Sequence, residues 1–466
     1  MERTQLPRVS PHPIPELAKF LRPFRVHFYR VESLQVLERY TTGLLADIER
    51  KSGAGVARAV AGLSESALYR LLAESEWDAT ALNRQRMEMM LAQAVAGDGM
   101  LVIDDSGMPR QGDCCVGVAP QYCGQLGKIA NCQVVVTADY VDPYFAWPAL
   151  GWLYLPESWC QDPERRQMAQ IPPEITFQTK PEIALDLIDQ ACLAGIPFNL
   201  VGADSGYGDN PHFLDELDRR HLGYVFGIAS DFGIRLPAEV AEAAARPLPR
   251  KRKAGRPRHH PHPDQLAPVH RAEAILAAQP EGAWQTITWR MGSQGPLTKQ
   301  FIAMRVNRSQ GDVTGPEGWL IGERAGEHKY YWSNLPADTP LARLAELAHR
   351  RPCIERTYQD GKGFTGWGSY PARLWHSYHR HLAFEMLTLS WLILQQPQPA
   401  KIEIALEPKP TENADEPVFP LRPGTLPQRG AGTPPGVRIP VHRIGALAGP
   451  NRSDRCLTAS QPSQTT

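Results

Sequence analysis

Acidic residues at three places in this sequence lie next to apolar runs and could together carry out metal-dependent chemistry. The stretch "LVIDDSGMPR" brings Asp104 and Asp105 to the end of an apolar run, and "VGADSGYGDN" does the same for Asp204. Glu355 lies in "RRPCIERTYQDGKGFTGW", which leads towards the last apolar segment. A charged group that leaves an apolar element is costly unless water, a partner or a metal receives it. The plain alternative for each aspartate is a turn after a strand, because Asp, Ser and Gly all favour turns.

Carboxylates at two strand ends and on one helix form a set of oxygen donors. Mg²⁺ binds through a few carboxylates together with waters and substrate phosphate, and two such ions ~4 Å apart can activate a water or a 3′-hydroxyl. Basic residues flank the third carboxylate, because Arg351 precedes Glu355 by four residues and Lys362 follows it by seven, near helical spacing. They could hold phosphates beside the metal ligands. A solvated helix face with ion pairs is the alternative.

The hydrophobic pattern indicates which elements position these residues. Apolar residues recur at three-to-four spacing over residues 15–95, which predicts several short helices. From residue 100 short apolar runs predict strands, interrupted by the amphipathic helix "KPEIALDLIDQACLAG". A β-rich block and a strongly apolar helix, "HSYHRHLAFEMLTLSWLILQQ", follow. This order predicts a mixed α/β fold after an all-helical N-terminal part.

Composition and charge give little further direction. The chain has 466 residues, and its 50 basic and 50 acidic side chains cancel, so the net charge indicates no partner. No apolar run is long enough to span a bilayer, which predicts a cytosolic protein without a membrane partner. The eight cysteines include no CxxC pair, which favours reduced thiols over a zinc site.

One segment is strongly basic and is a candidate for binding DNA. The stretch "RPLPRKRKAGRPRHHPHP" is Pro-rich and crowds six cations together: Arg250, Lys251, Arg252, Lys253, Arg256 and Arg258. Such a cluster can neutralise several phosphates and release their counterions, and "GRPR" is typical of an arm that enters a narrow minor groove. A solvated flexible loop is the alternative.

Several stretches together resemble the DDE insertion-sequence transposases, in the branch whose third carboxylate lies in a Tyr-Arg-Glu-Lys signature. They include "LVIDDSGMPRQGDCCVGVAPQYCGQLGKIANCQVVV", "WLYLPESW", "FQTKPEIALDLID", "VGADSGYGDN", "KYYWSNLP" and "IERTYQDGKGFTGWGSYPARLWHSYHRHLAFEMLTLSWL", in the family's order over roughly residues 95–395. The resemblance implies a ribonuclease-H-like core that binds transposon ends, cuts the DNA and joins the freed ends to a target. It also implies Mg²⁺, with Mn²⁺ as a substitute and two ions per site, and a homodimer on double-stranded DNA at the bacterial nucleoid.

The resemblance also assigns residues. By position, Asp105 is the first metal-binding carboxylate, Asp204 the second and Glu355 the third, while Arg351 and Lys362 keep the signature's spacing. Asp104 is the rival for the first place, and Asp105 is preferred because the family's aspartate directly precedes the small polar turn residue.

Two positions depart from the signature. Its tyrosine falls on Ala348, and Pro352 follows Arg351. Proline is unfavourable inside a helix but suits its first position, so we expect a helix to begin at Pro352. Arg351 would then lie at the junction before the helix, less firmly on the face of Glu355.

These interpretations divide the chain and leave three functions open. The predicted parts are a helical N-terminal domain that could bind DNA, a first part of the catalytic core, a basic loop with a β-rich insertion, a second part of the core, and a disordered Pro-rich tail: residues 1–95, 96–235, 236–330, 331–396 and 397–466. The first hypothesis is an active transposase. The others are a catalytically inactive, transposon-derived DNA-binding protein and a metal-dependent nuclease of the same fold.

Overall fold

A computed structural model describes residues 9–48, 51–94, 97–247, 265–292 and 295–396. The basic run from Arg250 to Arg258 and the tail over 397–466 lie outside these residues, so their predicted roles stay predictions.

The chain begins with a group of short helices, as the apolar spacing predicts. This N-terminal helical segment consists of α1 Pro15–Leu21, α2 Val31–Leu45, α3 Gly53–Ala59, α4 Glu65–Tyr69 and α5 Ala79–Leu91. Serine side chains cap two of them, because Ser52 accepts a hydrogen bond from the Gly55 amide and Ser64 accepts one from the Ala67 amide.

A large mixed sheet forms the centre of the molecule. Its twelve strands in the described residues are β1 Gly99–Pro109, β2 Ala119–Cys123, β3 Lys128–Val141, β4 Ala146–Leu153, β5 Phe198–Ala203, β6 Gly223–Ile228, β7 Gly233–Arg235, β8 His270–Arg271, β9 Gln285–Gly292, β10 Gly295–Gln310, β11 Val313–Ala325 and β12 Glu327–Ser333. The strand order is β2-β3-β1-β5-β6-β12-β11-β10-β7-β8, with β4 beside β3 and β9 beside β10. The pairs β1–β5 and β5–β6 are parallel, whereas the other pairs are antiparallel. The predicted mixed α/β class is therefore confirmed.

Helices between and after the strands cover the sheet. They are α6 Glu157–Cys160, α7 Pro163–Met168, α8 Lys180–Leu193, α9 Ser205–Gly208, α10 Pro211–Arg219, α11 Pro237–Ala245, α12 Ala272–Ala277, α13 Leu341–Ala348, α14 Pro352–Asp360 and α15 Trp375–Gln395. The helix start expected at Pro352 is confirmed. No helix in the described part of the chain is long and apolar enough to cross a membrane.

Strand β1 separates two buried layers. Leu101 and Ile103 pack in a cluster with residues of α8, whereas Met100 and Val102 pack in another with residues of α13 and α14. This division follows from the period of two along a strand, which sends successive side chains to opposite faces. The helix α14 therefore lies on the face of the even-numbered residues of β1.

Strand β1 does not end at the Asp104–Asp105 pair, so the strand end predicted there is wrong, and the alternative of a turn directly after it is wrong as well. Strand β1 continues to Pro109 because its pairing with β3 extends from Met100 to Pro109. On its other side, the pairing with β5 ends at Val102 and Gly202. The two aspartates thus lie in the middle of β1. At their positions β1 pairs with β3 on one side, and its pairing with β5 on the other side has already ended.

The β-rich block after residue 284 is confirmed as strands and continues the same sheet. Strand β12 pairs with β6, and β11 and β10 follow outwards. The last helix, α15, is as buried as its apolar sequence predicts, from Trp375 to Trp391. It packs against α5 and β4 and shares an apolar cluster with the N-terminal helical segment.

Candidate active site

Asp104 and Asp204 reach the same point from two neighbouring strands. The parallel register pairs Val102 of β1 with Gly202 of β5, so Asp104 and Asp204 follow at matching positions two residues later. Asp204 directly follows β5 and caps the single turn of α9, where its Oδ1 accepts a hydrogen bond of 3.0 Å from the Gly206 amide. Side chains at matching register positions in parallel strands lie on the same face, which brings the two carboxylates together.

Helix α14 supplies the third carboxylate from across the sheet. Its Ile354 and Tyr358 are buried in the cluster that contains Val102, and the Tyr358 and Thr137 hydroxyls form a hydrogen bond of 2.6 Å. This packing turns Glu355 outwards, where its side chain is 54% exposed. The apolar and aromatic residues of α14 thus fix the helix that carries Glu355 beside β1.

Arg351 joins the three carboxylates. Its Nη2 lies 3.2 Å from Asp104 Oδ2 and 3.8 Å from Asp204 Oδ2, and its Nη1 lies 2.9 Å from Glu355 Oε1. Although Arg351 precedes Pro352, its backbone is already helical (φ −52°, ψ −42°), so its side chain still reaches Glu355 four residues later. The structure thus brings Asp104, Asp204, Glu355 and Arg351 into one cluster.

Burial controls the charge of Asp104. Desolvation raises the pKa of this carboxyl to about 7, against the attraction of Arg351, and the Asp204 charge raises it further. Because a nearby positive charge lowers the pKa of a carboxyl group, a cation bound beside Asp104 would favour its ionised form. The pair of aspartates is therefore suited electrostatically to a metal ion.

Asp105 lies apart from this cluster. Its Oδ2 forms an ion pair of 3.0 Å with Lys180 Nζ at the start of α8, on the opposite face of β1. The ion pairs of Arg351 in the described residues are with the three other carboxylates. The sequence favours Asp105 as the first carboxylate, whereas the geometry of the cluster favours Asp104.

Lys362 and Ala348 flank the cluster. Lys362 is half-buried in a π-helical turn, Gly361–Thr365, with its Nζ 5.7 Å from the centre of the Tyr358 ring. Burial lowers the pKa of Lys362, and the nearby charges of Cys123 and Asp104 act in the opposite sense. Ala348, at the position of the signature's tyrosine, is buried at the end of α13.

The residues of the cluster offer the type of donor atom that a hard divalent cation prefers. The donor set is made of carboxylate oxygens, which Mg²⁺ and Mn²⁺ prefer, and one of them is buried with a raised pKa. As the side chains stand, no three carboxylate, histidine or cysteine groups in the described ranges converge closely enough to hold an ion. The guanidinium of Arg351 lies among the carboxylates instead, so a metal requires Arg351 to move.

A cleft of about 390 Å³ opens beside Asp204 and Arg351. Its far wall is formed by the β-rich block and the α13–α14 junction, with Tyr330, Tyr331 and His349 among its residues. The cleft thus leaves open space next to the carboxylates.

A buried carboxylate, Glu323 on β11, links the β-rich block to this junction. The Tyr331 hydroxyl donates a hydrogen bond of 2.7 Å to Glu323 Oε2, and His349 Nε2 lies 3.1 Å from the same oxygen. Lys299 forms an ion pair with Oε1, and His349 stacks on Trp289 with ring centres 4.0 Å apart. Despite burial, these donors lower the pKa of Glu323 to about 2. Sequence reasoning missed this network, although the charge within the apolar strand "GWLIGERA" was a signal for it.

A second buried carboxylate, Asp139 on β3, also escaped the sequence analysis. It lies opposite Val102 in the β1–β3 register and is 1% exposed. Neither of its oxygens has a partner with good hydrogen-bond geometry in the described residues, and the nearby Thr357 side chain offsets the effect of burial only in part. Burial raises the pKa of Asp139 to about 7, and the Asp104 charge contributes in the same direction. The site thus has a fourth acidic group beneath it.

Comparison with known proteins gives two matches. The family model described as DDE superfamily endonuclease matches residues 23–296, more than half of the chain. The match includes Asp104, Asp105 and Asp204 and ends before Glu355. A probable transposase for insertion sequence element IS701 from Microchaete diplosiphon is 31% identical over 233 residues, which are 49% of this chain and 58% of that protein. The similarity therefore spans less than two thirds of the relative's length.

Proposed function

The chain belongs to the DDE superfamily endonuclease family, and from this membership we propose that it is the transposase of an insertion sequence. In this proposal it binds the terminal inverted repeats, cuts the DNA at these ends by phosphodiester hydrolysis, and joins the freed 3′-hydroxyls to target DNA. The mixed α/β sheet is consistent with a ribonuclease-H-like core of this family.

The observation that carries the proposal is the cluster around Arg351. Two aspartates from neighbouring parallel strands and a glutamate from a facing helix contact one guanidinium. Three acidic groups held together in this way are expensive to maintain without a function, because like charges repel and burial disfavours their ionised forms.

We assign Asp104, Asp204 and Glu355 as the ligands of the divalent metal, Mg²⁺ or Mn²⁺, with two ions per site. Asp105 stays the sequence-based alternative for the first ligand. When bound, the metal ions would supply an activated oxygen nucleophile and charge stabilisation at the phosphate.

The basic residues would position the DNA. Arg351 presents a planar guanidinium that can bind a phosphate through two N–H groups once it leaves the carboxylates. Lys362 would contact a phosphate on the strand beside Asp104, and the run from Arg250 to Arg258 would neutralise phosphates further along the duplex. Cutting two ends together favours a homodimer on the DNA.

The test is cleavage of a labelled duplex that carries the element's own end, with Mg²⁺ or Mn²⁺, by the wild type and by Asp204→Asn. We expect metal-dependent nicking at the end junction, followed by joining to a target plasmid. Asp204→Asn is expected to bind the end and to lose both steps.

Two other results would replace the proposal. Binding of the end without cleavage in either metal would indicate an inactive DNA-binding protein. Cleavage that is never followed by joining would indicate a nuclease of the same fold.

A further inference from the structure

A cavity of about 330 Å³ lies between the N-terminal helical segment and the turn that carries Lys362. Two lysines and two serines that are distant in the sequence line it, Lys51 with Ser52 and Lys362 with Ser369. Gly363 and Gly366 complete much of the wall, and no acidic side chain of the described residues belongs to the lining. The cavity is therefore positive, rich in hydrogen-bond donors and open to close approach of a ligand.

Lys51 is held rigidly at the edge of this cavity. Its Nζ donates hydrogen bonds of 2.6 Å to the Leu44 carbonyl and 2.5 Å to the Phe364 carbonyl. The Cβ of Lys51 also packs against Gly366. A side chain at position 366 would place its own Cβ only 2.4 Å from the Lys51 Cβ, and the φ of +69° at this position favours glycine as well. The two carbonyl acceptors position the ammonium group, but they carry no formal charge that would neutralise it.

Neither lysine forms an ion pair with a carboxylate of the described residues. The lysine ion pairs of the described residues are those of Lys180 with Asp105 and of Lys299 with Glu323, and no carboxylate of these residues lies within 4.0 Å of Lys51 or Lys362. Asp47 is near enough to Lys51 to act on it electrostatically, but burial outweighs this and lowers the pKa of Lys51. Two half-buried ammonium groups that line one cavity and form no ion pair in the described residues favour an anion in that cavity.

We propose that this cavity binds a backbone phosphate of the DNA strand that enters the active site, through Lys51, Lys362, Ser52 and Ser369. Lysine ammonium groups and hydroxyls are common ligands of phosphate. Lys362 acts electrostatically on Asp104, so the phosphate held here lies near the reacting one. The N-terminal helical segment thereby contacts the substrate through Lys51 as well as packing on the core. The inference rests on the proposed function.

The test is the salt dependence of binding to the element's end, for the wild type and Lys51→Gln. Glutamine keeps an N–H donor for the two carbonyls and removes the charge. We expect the slope of log affinity against log salt concentration to become less steep by about 0.9, the value for one lost phosphate contact on duplex DNA. Lys51→Arg is expected to restore most of the slope. Ser369→Ala removes one neutral donor and is expected to lower affinity by about tenfold without changing the slope.

A chemical change in the DNA identifies the phosphate. Single methylphosphonate substitutions remove one phosphate charge at a time near the cut. At one phosphate position in the DNA, the substitution is expected to lower the affinity of the wild type. It is expected to leave the affinity of Lys51→Gln unchanged, because this variant already lacks the contact with that phosphate. The exposed Lys19, which lies on α1, provides a matched control as Lys19→Gln, and thermal unfolding without DNA checks that each variant is folded.

The contrary outcomes are distinct. A wild type that binds no end DNA would overturn the proposed function and this inference together. End binding by the wild type with the same slope in Lys51→Gln as in Lys19→Gln would overturn the phosphate cavity alone. Stabilisation by inorganic phosphate that Lys51→Gln abolishes, with no change in the DNA slope, would assign the cavity to free phosphate rather than DNA.

Discussion

At the scale of single residues, two adjacent aspartates have different surroundings. Asp104 faces α14 and contacts Arg351, whereas Asp105 faces α8 and contacts Lys180. The Asp105 amide donates a hydrogen bond of 2.8 Å to Asp104 Oδ1, which helps to hold Asp104 in its orientation. Adjacent residues of one strand therefore have separate roles, one in the carboxylate cluster and one in an ion pair on the other face.

The first prediction compares Asp104→Asn with Asp105→Asn in end cleavage. If Asp104 is a metal ligand, its loss removes several kcal/mol of transition-state stabilisation, which corresponds to a rate loss of about 10³-fold or more. Asp105→Asn loses a partly exposed ion pair worth about 1 kcal/mol and is expected to keep the rate within about tenfold. The reverse ranking of the two variants would restore Asp105 as the first carboxylate.

The second prediction concerns Asp139 and the pH dependence of stability. Because its pKa is raised to about 7 in the fold, the folded state binds its proton more tightly than the unfolded state. This contribution is fully present below pH ~4 and is lost as the pH rises through ~7. Asp139→Asn removes the buried charge and is expected to raise metal-free stability by about 2 kcal/mol more at pH 8 than at pH 5.

Thermal or urea unfolding of Asp139→Asn at the two pH values provides the measurement. The exposed Asp312 gives a matched control, since Asp312→Asn removes a carboxylate on the surface. An equal effect of Asp139→Asn at both pH values would show that Asp139 is not protonated in the fold.

At the scale of elements, the β-rich block is connected to the active-site helix through one buried carboxylate. Glu323 of β11 gathers Lys299 of β10, Tyr331 of β12 and His349, the residue that follows α13. Arg351 lies two residues beyond His349, and α14 begins at the next residue, Pro352. Three strands of the sheet therefore hold the junction from which Arg351 reaches the carboxylates.

The third prediction is that Glu323→Gln destabilises this junction. Removing one charge of a buried network leaves its partners uncompensated, with an expected loss of about 3–5 kcal/mol at pH 7. The pKa of Glu323 is lowered to about 2, so its stabilisation is present above pH ~4.5 and is lost as the pH falls towards 2. The difference between the variant and the wild type should therefore shrink between pH 5 and pH 2.

The measurement is unfolding as a function of pH, together with the rate of end cleavage at a temperature where both proteins are folded. Glu317→Gln on the same strand is the control, because Glu317 pairs with Arg305 at the surface and is 47% exposed. We expect cleavage to slow in Glu323→Gln while end binding is retained. Equal stability losses in the two variants would rule out a special role for Glu323.

At the scale of the whole molecule, the cores cross the boundaries that the sequence suggests. The N-terminal helical segment and α15 share one apolar cluster, in which Trp77 stacks on Phe384 with ring centres 4.7 Å apart. The buried Arg86 of α5 donates hydrogen bonds of 2.7 Å to the Pro148 carbonyl and 2.9 Å to the Ser390 hydroxyl. The first and last described helices therefore contribute to one apolar core.

The fourth prediction is that Phe384→Ala destabilises the whole structure by about 3–5 kcal/mol, through lost burial and a residual cavity. Because the cluster joins α15 to the N-terminal helices, we expect unfolding followed by tryptophan fluorescence and by circular dichroism to shift together. Leu193, which is 88% exposed, provides the control as Leu193→Ala. Separate transitions in the variant would show that the N-terminal helices unfold as an independent domain.

Local sequence determined the elements and the residue types of the candidate site. The apolar spacing predicted the N-terminal helices, the strands and the buried last helix, because side-chain periods of 3.6 and 2 follow directly from backbone geometry. Pro352 marked the start of α14 because proline suits the first turn of a helix. The types and spacing of Asp204, Arg351 and Glu355 indicated a phosphate-directed acidic site before any fold was known.

Only the tertiary structure decided which groups meet. Asp104 and Asp105 are equivalent in the local sequence, and the choice between them depends on which face of β1 the helix α14 covers. The strand continues past both aspartates because of its pairing with β3, which no local turn signal could reveal. The same holds for Glu323, Asp139 and Lys51, whose partners or neighbours come from distant segments. Residue types set the available chemistry, but contacts between distant segments are set by packing, and packing is not encoded at any single position.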